Sequence, residues 1–518
     1  MLSTATVLFL REQTSAHTEA VRLSVRTPAV TRLTGVLLLS TLLLSCTGAT
    51  SGTSGSIVTE SDPYFHSEEI FEPIDLHVHG SSIVELPNGD LLSVWFEGSG
   101  ERWADDVALR GARFNRDGGS WGDTFLMADT PGFPDINPVL YVDGQERLWL
   151  FWYTVLANLW ETSLPKYRVS TDYMMKEGPP EWTWQDVIHV KPGGPTERGI
   201  QPDDPFVETV RRKAEEYEAY MEESGLYEQA VEAVQAAGRA GEGDVIYGSR
   251  EWWAERSDQL VWIAEGREVV RDGRLYHEDG SYTSAETGYP LMRRIGWQTY
   301  NKPVELADGR MVLPLYSDAF STSLMAITDD GARSWTFSEP LIGGLNIQAT
   351  LAEKRNGDLV AYMRDNGPPP KRMHMSTSPD RGESWSTVND SELLNPGSGT
   401  DMVVLQSGEW VMIYNNLESG RHSLAASLSD DEGESWRWTR IIDSDMGENP
   451  TTSHYPAVTQ GSDGLIHVAY SHHYGVKEGR HRTIKWAVFN TDWIKEGGME
   501  SVSVTAHSRS PGVVGGEH

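Results

Sequence analysis

One octapeptide occurs twice in full in this chain, and it constrains the fold more than any other feature. Ser378–Trp385 and Ser429–Trp436 both read S-x-D-x-G-E-S-W. Thr328–Trp335 is a copy with Ala332 in place of the glycine, and Asn115–Trp121 is one residue short. In such a turn the Asp accepts backbone N–H groups, the Gly supplies a positive φ, and the Trp packs back between neighbouring elements. A repeated phrase of this kind predicts a repeat architecture.

A second repeat gives the number of units. Each copy is an apolar run, a two-residue turn ending in Gly, and a second apolar run, which is the strongest short-range signal for a β-hairpin. The turns are Asn88-Gly89, Asp143-Gly144, Asp308-Gly309, Asn356-Gly357, Ser407-Gly408 and Asp463-Gly464. Their spacings are 48 to 56 residues, apart from one of 165. A four-stranded blade needs about 40–50 residues, so we predict an all-β, six-bladed β-propeller, with seven blades possible if the long gap hides one.

The long gap also contains a segment of different composition. Residues 204–290, approximately, include Glu208–Tyr217 and Gln229–Ala236, which are strong helix formers at helical spacing. We therefore predict a helical insertion. It forms either a lid over the central funnel or a decoration of the outer surface, and the lid is favoured if Trp252, Trp253 and Trp262 face the funnel.

The N-terminus predicts export. Cys46, the only cysteine, follows the apolar run Val36–Leu44 and several arginines, as in a bacterial lipoprotein signal peptide. We expect residues 1–46 to be this signal, with the first 29 or so an upstream start-site artefact, and Cys46 to carry a lipid in the cell envelope, in the periplasm or at the outer membrane. A simple secretory signal is the alternative. Residues 47–65 then form a flexible tether, 66–495 the propeller and 496–518 a flexible tail.

Charge and motifs exclude several classes of function. The net charge of −33 excludes a nucleic-acid partner, because phosphates demand basic patches. The chain has no P-loop, no H-E-x-x-H and no dinucleotide-binding fingerprint, so we expect no cofactor. Histidine pairs occur at His77/His79 and His472-His473, but adjacent histidines rarely share an ion, and we expect no metal. Contact with a membrane is expected only through the lipid on Cys46.

Propeller geometry places the functional residues. The Gly turns lie on one face, so a site on the other face is built from the start of each first strand and the loop after each second strand. The first set comprises His79, Asn137, Lys302, Asn346, Gln348, His454 and Tyr455. The second set comprises Arg102, Asp105, Asp106, Trp160, Asp318, Arg364, Asp365 and Arg421. Polar and aromatic residues crowd these positions while the strands between them are apolar, which indicates a ligand site.

These residue types suit the chemistry of acidic sugars. A carboxyl group can protonate the leaving oxygen of a glycosidic bond, and an activated Tyr can act as nucleophile where the substrate's own carboxylate would repel Asp or Glu. Arg364 and Lys302 could bind that carboxylate. The same residue types also suit β-elimination from a uronate, in which Tyr or His takes the C5 proton.

The chain resembles the sialidase (neuraminidase) superfamily from about His77 to Trp493. The resemblance is closest between Asn346 and Ser378, where an apolar strand ends in Arg before the octapeptide, which is called an Asp box in that family. The resemblance is to the poorly characterised bacterial branch called exo-α-sialidase-like. It implies that Tyr455 is the nucleophile and that Arg364 belongs to a carboxylate-binding arginine triad.

The resemblance further implies Asp105 or Asp106 as acid/base and Arg421 as another triad member. The sequence departs from the family pattern in two places. No arginine stands in His77–Ser81, and Asn346 replaces the Glu that activates the Tyr.

Three hypotheses follow. The first is an exported glycosidase of exo-α-sialidase type that removes a terminal acidic sugar. The second is a polysaccharide lyase, or another glycosidase, acting on uronate-containing glycans with His79 or Tyr455 as base. The third is a carbohydrate-binding propeller without turnover.

Overall fold

A computed structural model describes residues 62–194, 204–238, 245–266, 269–271, 274–276, 282–283, 292–447, 449–475 and 481–497. All of them belong to one compact unit, Thr59–His518. The predicted signal peptide, the lipid site at Cys46, most of the tether and most of the tail lie outside the described residues and stay predictions. Within the described residues, no helix has the length and apolar character that crossing a membrane requires.

Six antiparallel sheets of four or five strands form the body of the protein. In chain order we number them as blades 1 to 6. Their strands are His77–Glu85, Leu91–Gly98, Ala108–Asn115, Ser120–Trp121 and Phe125–Ala128 (blade 1); Asp135–Val142, Leu148–Val155, Ser163–Ser170 and Trp184–Val187 (blade 2); Trp297–Thr299, Val304–Glu305, Met311–Ser317, Thr322–Thr328 and Thr336–Phe337 (blade 3); Asn346–Glu353, Leu359–Asp365, Arg372–Ser378 and Asn389–Leu394 (blade 4); Asp401–Val404, Trp410–Tyr414, Ser423–Ser429 and Trp438–Ser444 (blade 5); and Thr452–Gln460, Ile466–His473, Arg482–Phe489 and Phe65–Glu69 (blade 6).

The blades close into a ring. The outermost strand of blade 6 is the N-terminal Phe65–Glu69, which pairs antiparallel with Arg482–Phe489. The first strands of successive blades contact each other all the way round, including blade 6 against blade 1. This confirms the predicted six-bladed β-propeller.

The core is divided among the blade interfaces. Six apolar clusters each contain buried side chains from two neighbouring blades, and each includes a tryptophan: Trp95, Trp152, Trp149, Trp385, Trp410 and Trp493. Because the apolar area of a blade is buried against the next blade, no blade is expected to be stable alone.

The octapeptide turns owe their shape to one carboxylate each. Asp380 accepts from Ser384 N at 2.9 Å and from Ser378 Oγ at 2.8 Å. Gly382 follows with φ of 91°, a left-handed conformation that glycine adopts without steric cost. Asp431 makes the same contacts with Ser435 N and Ser429 Oγ.

The insertion between blades 2 and 3 is helical, as predicted. It contains the helices α1 (Pro205–Ser224), α2 (Leu226–Ala236) and α3 (Arg250–Glu265). A small sheet of the strands Val269–Arg271, Arg274–Tyr276 and Tyr282–Thr283 follows them. A fourth helix, α4 (Thr491–Glu496), follows blade 6. Asp204 caps α1 by accepting from Phe206 N at 3.1 Å.

The helices pack against the flank of blades 2, 3 and 4. Trp253 of α3 is buried in the cluster that those two blades share, with its ring centroid 5.0 Å from that of Tyr217 of α1. Trp253 therefore faces the blades and not the funnel. The segment before α3 reaches the loop that follows the second strand of blade 4, where Tyr247 Oη donates to Asn366 O at 3.2 Å.

One buried carboxylate joins four blades near the axis. Asp401 of blade 5, 2% exposed, accepts from Lys302 Nζ of blade 3 at 2.6 Å. It also accepts from Thr350 Oγ1 of blade 4 at 3.0 Å and from Val458 N of blade 6 at 2.9 Å. The sequence predicted Lys302 as a ligand for a substrate carboxylate; its ammonium is held instead by Asp401.

We predict that Asp401→Asn lowers the free energy of unfolding by about 2–4 kcal/mol, because it removes the counter-charge of the partly buried Lys302 ammonium and weakens the buried hydrogen bonds from Thr350 and Val458. Urea denaturation followed by tryptophan fluorescence measures this value.

The matched control is Asp117→Asn. Asp117 lies 3.6 Å from Lys176 with a side chain that is 90% exposed, so its loss should change stability by less than about 1 kcal/mol. Equal effects of the two substitutions would contradict the role assigned to Asp401.

Candidate functional site

A β-bulge recurs at one place in four blades. The register shifts in the first strands of blades 1, 2, 4 and 6. At each shift one residue is left-handed: Gly80 at φ 61°, Asn137 at 47°, Gln348 at 56° and Tyr455 at 54°. Outside glycine this conformation costs about 1–2 kcal/mol, and such strain clusters at functional sites.

The bulges turn side chains toward the axis of the ring. A side chain at Gly80 would not fit, since its Cβ would lie 2.7 Å from Asn137 Oδ1. Asn137 in turn donates Nδ2 to Tyr316 Oη at 3.2 Å. The left-handed residues of different blades therefore lie against one another around a common mouth.

Tyr455 lies at the centre of this mouth. Its hydroxyl accepts from Arg364 Nη1 at 2.7 Å and from Gln348 Nε2 at 3.1 Å. The guanidinium of Arg421 lies 5.5 Å from its ring centroid, and the ring of His79 lies 4.2 Å away, centroid to centroid. The structure therefore brings together five of the predicted site residues from blades 1, 4, 5 and 6.

Arginines concentrate here, although the chain as a whole is strongly acidic. Burial lowers the pKa of Arg421, and the positive charge of the nearby Arg364 lowers it further. The hydroxyl of Tyr455 and the carboxyl of Glu101 act in the opposite direction. Arg102 is buried and its guanidinium lies 5.3 Å from the ring centroid of Trp160. The mouth is thus a local cationic region suited to an anionic ligand.

Two carboxyl groups lie among the arginines. Burial raises the pKa of Asp318 above its ordinary value, although Arg364 and a hydrogen bond from Gln298 Nε2 (3.1 Å) act to lower it. Burial also raises the pKa of Glu101, against the neighbouring cations of Arg102 and Arg421, and Asp318 adds to the rise. A raised pKa keeps a carboxyl group protonated to higher pH, as a general acid requires.

Histidines fill one side of the mouth. The ring centroids of His79 and His454 are 4.8 Å apart, and those of His454 and His473 are 4.6 Å apart. Burial, followed by mutual repulsion, lowers the pKa of His79 and His454 well below the ordinary value, and burial lowers that of His473 to about 3. All three imidazoles are therefore neutral at physiological pH.

Buried tyrosines complete the mouth. The ring centroid of Tyr300 lies 5.0 Å from that of Tyr455, and its hydroxyl donates to Pro456 O at 3.2 Å. Burial raises the pKa of Tyr300, Tyr316 and Tyr153, so these phenols stay neutral.

Other predicted site residues have structural contacts of their own. Asn346 is fully buried and donates Nδ2 to Leu341 O at 2.6 Å, so the contact to Tyr455 expected from its strand comes from Gln348. Asp365 orders the following loop by accepting from Gly367 N at 2.7 Å. Lys302 forms the ion pair with Asp401 that is described above.

Asp105 and Asp106 lie on the exposed side of the loop after the second strand of blade 1. Asp106 accepts from Ser99 Oγ at 2.7 Å. The carboxyl group that this loop brings among the arginines is Glu101, close to Arg421 and Asp318.

Two charged residues near the mouth, Glu101 and Arg482, were not among those predicted from the sequence. Glu101 stands in the same loop as Arg102 and could have been found by the rule that selected Arg102. Arg482 Nη1 is 3.0 Å from His77 Nδ1, but it begins a third strand, and the rule considered only first and second strands.

Known proteins share this fold. The sequence matches the BNR repeat-like domain family over residues 89–198 and 298–468. An anhydrosialidase from Macrobdella decora is 26% identical in an alignment that covers 31% of this chain and 23% of that protein. This chain thus spans about a quarter of the length of that relative.

Solved structures agree at the level of the fold. A Dyadobacter fermentans protein of unknown function superposes with a TM-score of 0.51 and 13% identity, covering 82% of this chain and 97% of that one. A leech intramolecular trans-sialidase superposes with a TM-score of 0.50 and 14% identity, covering 83% and 71%. A Hadza microbial sialidase does so with a TM-score of 0.50 and 12% identity, covering 80% and 66%.

The match to the family spans both sides of the insertion and covers more than half of the chain, and the solved sialidase structures share its fold. The chain therefore belongs to the BNR repeat-like domain family.

Proposed function

We propose that this protein is a glycoside hydrolase of exo-α-sialidase type that removes a terminal acidic sugar from glycans. The observation that carries the proposal is the contact of Arg364 Nη1 with the Tyr455 hydroxyl at 2.7 Å, with Arg421 against the same ring. A phenol oxygen held by a guanidinium at the bottom of a cationic mouth combines a nucleophile with a binding site for a carboxylate.

The role of the arginines follows from charge. A sugar carboxylate in the mouth can reach the guanidinium groups of Arg364 and Arg421, and a guanidinium can bind a carboxylate through two N–H groups. As the Tyr455 oxygen attacks the anomeric carbon its phenolic proton passes to water, and Arg364 stabilises the phenolate character that the oxygen gains when the proton leaves. A neutral nucleophile avoids the repulsion that an Asp or Glu would impose on an anionic substrate.

The acid in this mechanism is Glu101 or Asp318, which are the carboxyl groups with raised pKa values at the mouth. One of them protonates the leaving oxygen as the glycosidic bond breaks, and then assists water in hydrolysing the glycosyl–tyrosine intermediate. The resemblance to sialidases implied Asp105 or Asp106 for this role, and both lie on the exposed side of the loop that carries Glu101. The pH dependence of variants distinguishes the two assignments.

The relatives support a glycosidase. The Macrobdella decora relative bears the name anhydrosialidase, and the leech intramolecular trans-sialidase is described in complex with 2,7-anhydro-Neu5Ac. For the present chain this supports a terminal acidic sugar as the substrate class. The experiments below test which class of acidic sugar the protein accepts.

A second candidate function is β-elimination from a uronate-containing glycan. The observation that favours it is the neutral imidazole of His79 beside Tyr455, with ring centroids 4.2 Å apart. Either group can take the proton from C5 while Arg364 or Arg421 neutralises the uronate carboxylate.

We predict that the purified protein releases the dye from a fluorogenic sialoside, and that Arg364→Ala lowers kcat/KM by at least about 100-fold. The control is Arg372→Ala on the same blade, whose Nη1 lies 2.6 Å from Glu418 at the surface, and which should retain activity. If sialosides are inert while uronate polymers yield an unsaturated, ultraviolet-absorbing product, the second candidate function replaces the first. Glycan binding without either product would favour a binding propeller.

We predict that Tyr455→Phe lowers kcat by at least about 1,000-fold with a smaller change in KM, because it removes the attacking oxygen and leaves the arginines in place. Steady-state kinetics measures both constants. The control is Tyr414→Phe, a buried tyrosine of blade 5 whose hydroxyl contacts Ser427 Oγ at 3.1 Å. An active Tyr455→Phe protein would remove Tyr455 from the chemistry.

We predict that kcat/KM falls as pH rises through the raised pKa of the acid, since the group must carry a proton to donate it. This fall of kcat/KM at high pH should disappear in the variant that lacks the acid, Glu101→Gln if the acid is Glu101 and Asp318→Asn if it is Asp318. The same variant should lose most activity on substrates with poor leaving groups. The comparison is Asp105→Asn. If only Asp105→Asn removes the fall of kcat/KM at high pH, the acid is Asp105, as the resemblance implies, and the assignment to Glu101 or Asp318 is wrong.

A further inference from the structure

We propose that His79, His454 and His473 form a binding site for a divalent transition metal ion, with zinc as the best fit. The three side chains can each present one ring nitrogen such that all three nitrogens lie within 4.8 Å of one another. They come from blades 1 and 6, which are distant in sequence and adjacent in the ring. This proposal is independent of the glycosidase proposal.

The cluster is one of imidazoles alone, which selects the class of ion. Neutral imidazole binds zinc, copper, nickel and iron, whereas calcium and magnesium require oxygen ligands. Zinc bonds to histidine nitrogen at about 2.0–2.1 Å, which places tetrahedral ligand nitrogens roughly 3.4 Å apart. The nitrogens would therefore draw together by up to about 1.4 Å on binding, a movement within reach of side-chain rotation.

The outer contacts of two histidines prepare them as ligands. His473 Nε2 lies 2.9 Å from the carbonyl oxygen of Val78, which can only accept, so Nε2 carries the proton and Nδ1 keeps its lone pair. His79 Nδ1 lies 2.9 Å from Ser471 Oγ, which leaves Nε2 for another partner. Metal-bound histidines in general have their second nitrogen fixed in this way.

His454 supplies an independent reason to expect a ligand. Its side chain is only 4% exposed, and its Nδ1 is buried without a hydrogen-bond partner among the described residues. An unsatisfied buried polar atom costs about 1–3 kcal/mol unless something occupies the site. The low pKa values of the three rings agree with this interpretation, because only the neutral ring can bind a metal.

The position of the site gives it a functional meaning. Three protein ligands leave a fourth coordination position open, as in catalytic zinc sites and unlike structural ones. The ring of His79 faces Tyr455, so an ion here borders the mouth and can bind an oxygen of the ligand. A bound ion would also remove His79 from the candidate bases for β-elimination and leave Tyr455.

The test uses the full chain, freed of metal by chelation and dialysis. Titration with Zn²⁺ in a calorimeter should show one ion bound per chain, and His454→Ala and His473→Ala should each weaken binding by at least about 100-fold. Ser471→Ala, which removes the partner of His79, should weaken binding by about 10–100-fold. The control is His467→Ala, a buried histidine stacked on Trp486 and outside the cluster, which should bind zinc as the unaltered protein does.

A second measurement does not depend on any variant folding. Co²⁺ added to the unaltered protein should give the intense visible absorption of four-coordinate cobalt, because three imidazoles and one further ligand impose that geometry. The weak absorption of six-coordinate cobalt, stoichiometric binding that persists in His454→Ala, or the absence of zinc binding to the unaltered chain would each overturn the proposal.

Discussion

The carboxylate of Asp401 is the contact on which the arrangement around the axis depends. Where six sheets converge there is little room for water, so a buried charged group is stable there only with partners from the ring. Asp401 takes hydrogen bonds from Lys302 and Thr350 and from the backbone of Val458, so blades 3, 4, 5 and 6 meet at one anion. These are the blades that carry Gln348, Arg364, Arg421 and Tyr455. Fixing their first strands therefore fixes the mouth.

The same strands hold the strained residues of the site. A bulge with a left-handed residue interrupts the first strand in four blades, and at Gln348 and Tyr455 the strained residue is itself part of the mouth. The ladder on both sides of each bulge and the packing between blades hold this conformation against its steric cost. The site is thus preorganised by the scaffold: Tyr455 is turned toward Arg364 and Gln348 before any ligand arrives.

The bulges also explain which predictions from the sequence held. Turn glycines and the octapeptide are local signals, since each depends on a few adjacent residues, and they were enough to predict six blades. Distance from the Gly turn was not enough to orient a side chain inside the mouth, because the extra residue of a bulge reverses the side of the strand that the following side chain occupies. Asn346 was expected beside Tyr455 and is buried elsewhere, whereas Gln348, two residues on and left-handed, makes the contact. The ion pair of Lys302 could not be predicted for another reason: its partner Asp401 lies two blades away, beyond any local pattern.

The electrostatics of the mouth oppose those of the whole chain. A net charge of −33 repels anions at a distance, yet salt screens that field beyond a Debye length of about 8 Å. Within the mouth, Arg364 and Arg421 face the entering ligand, while the raised pKa values of Glu101 and Asp318 reduce the negative charge nearby. The histidines there are neutral, so they add donors and acceptors without adding charge. An acidic sugar small enough to enter therefore forms ion pairs with the arginines. A long polyanion would leave most of its negative charge next to the acidic surface, which repels it. This difference favours a single terminal sugar over the interior of a charged polymer, which is the preference that the proposed exo-acting hydrolase requires.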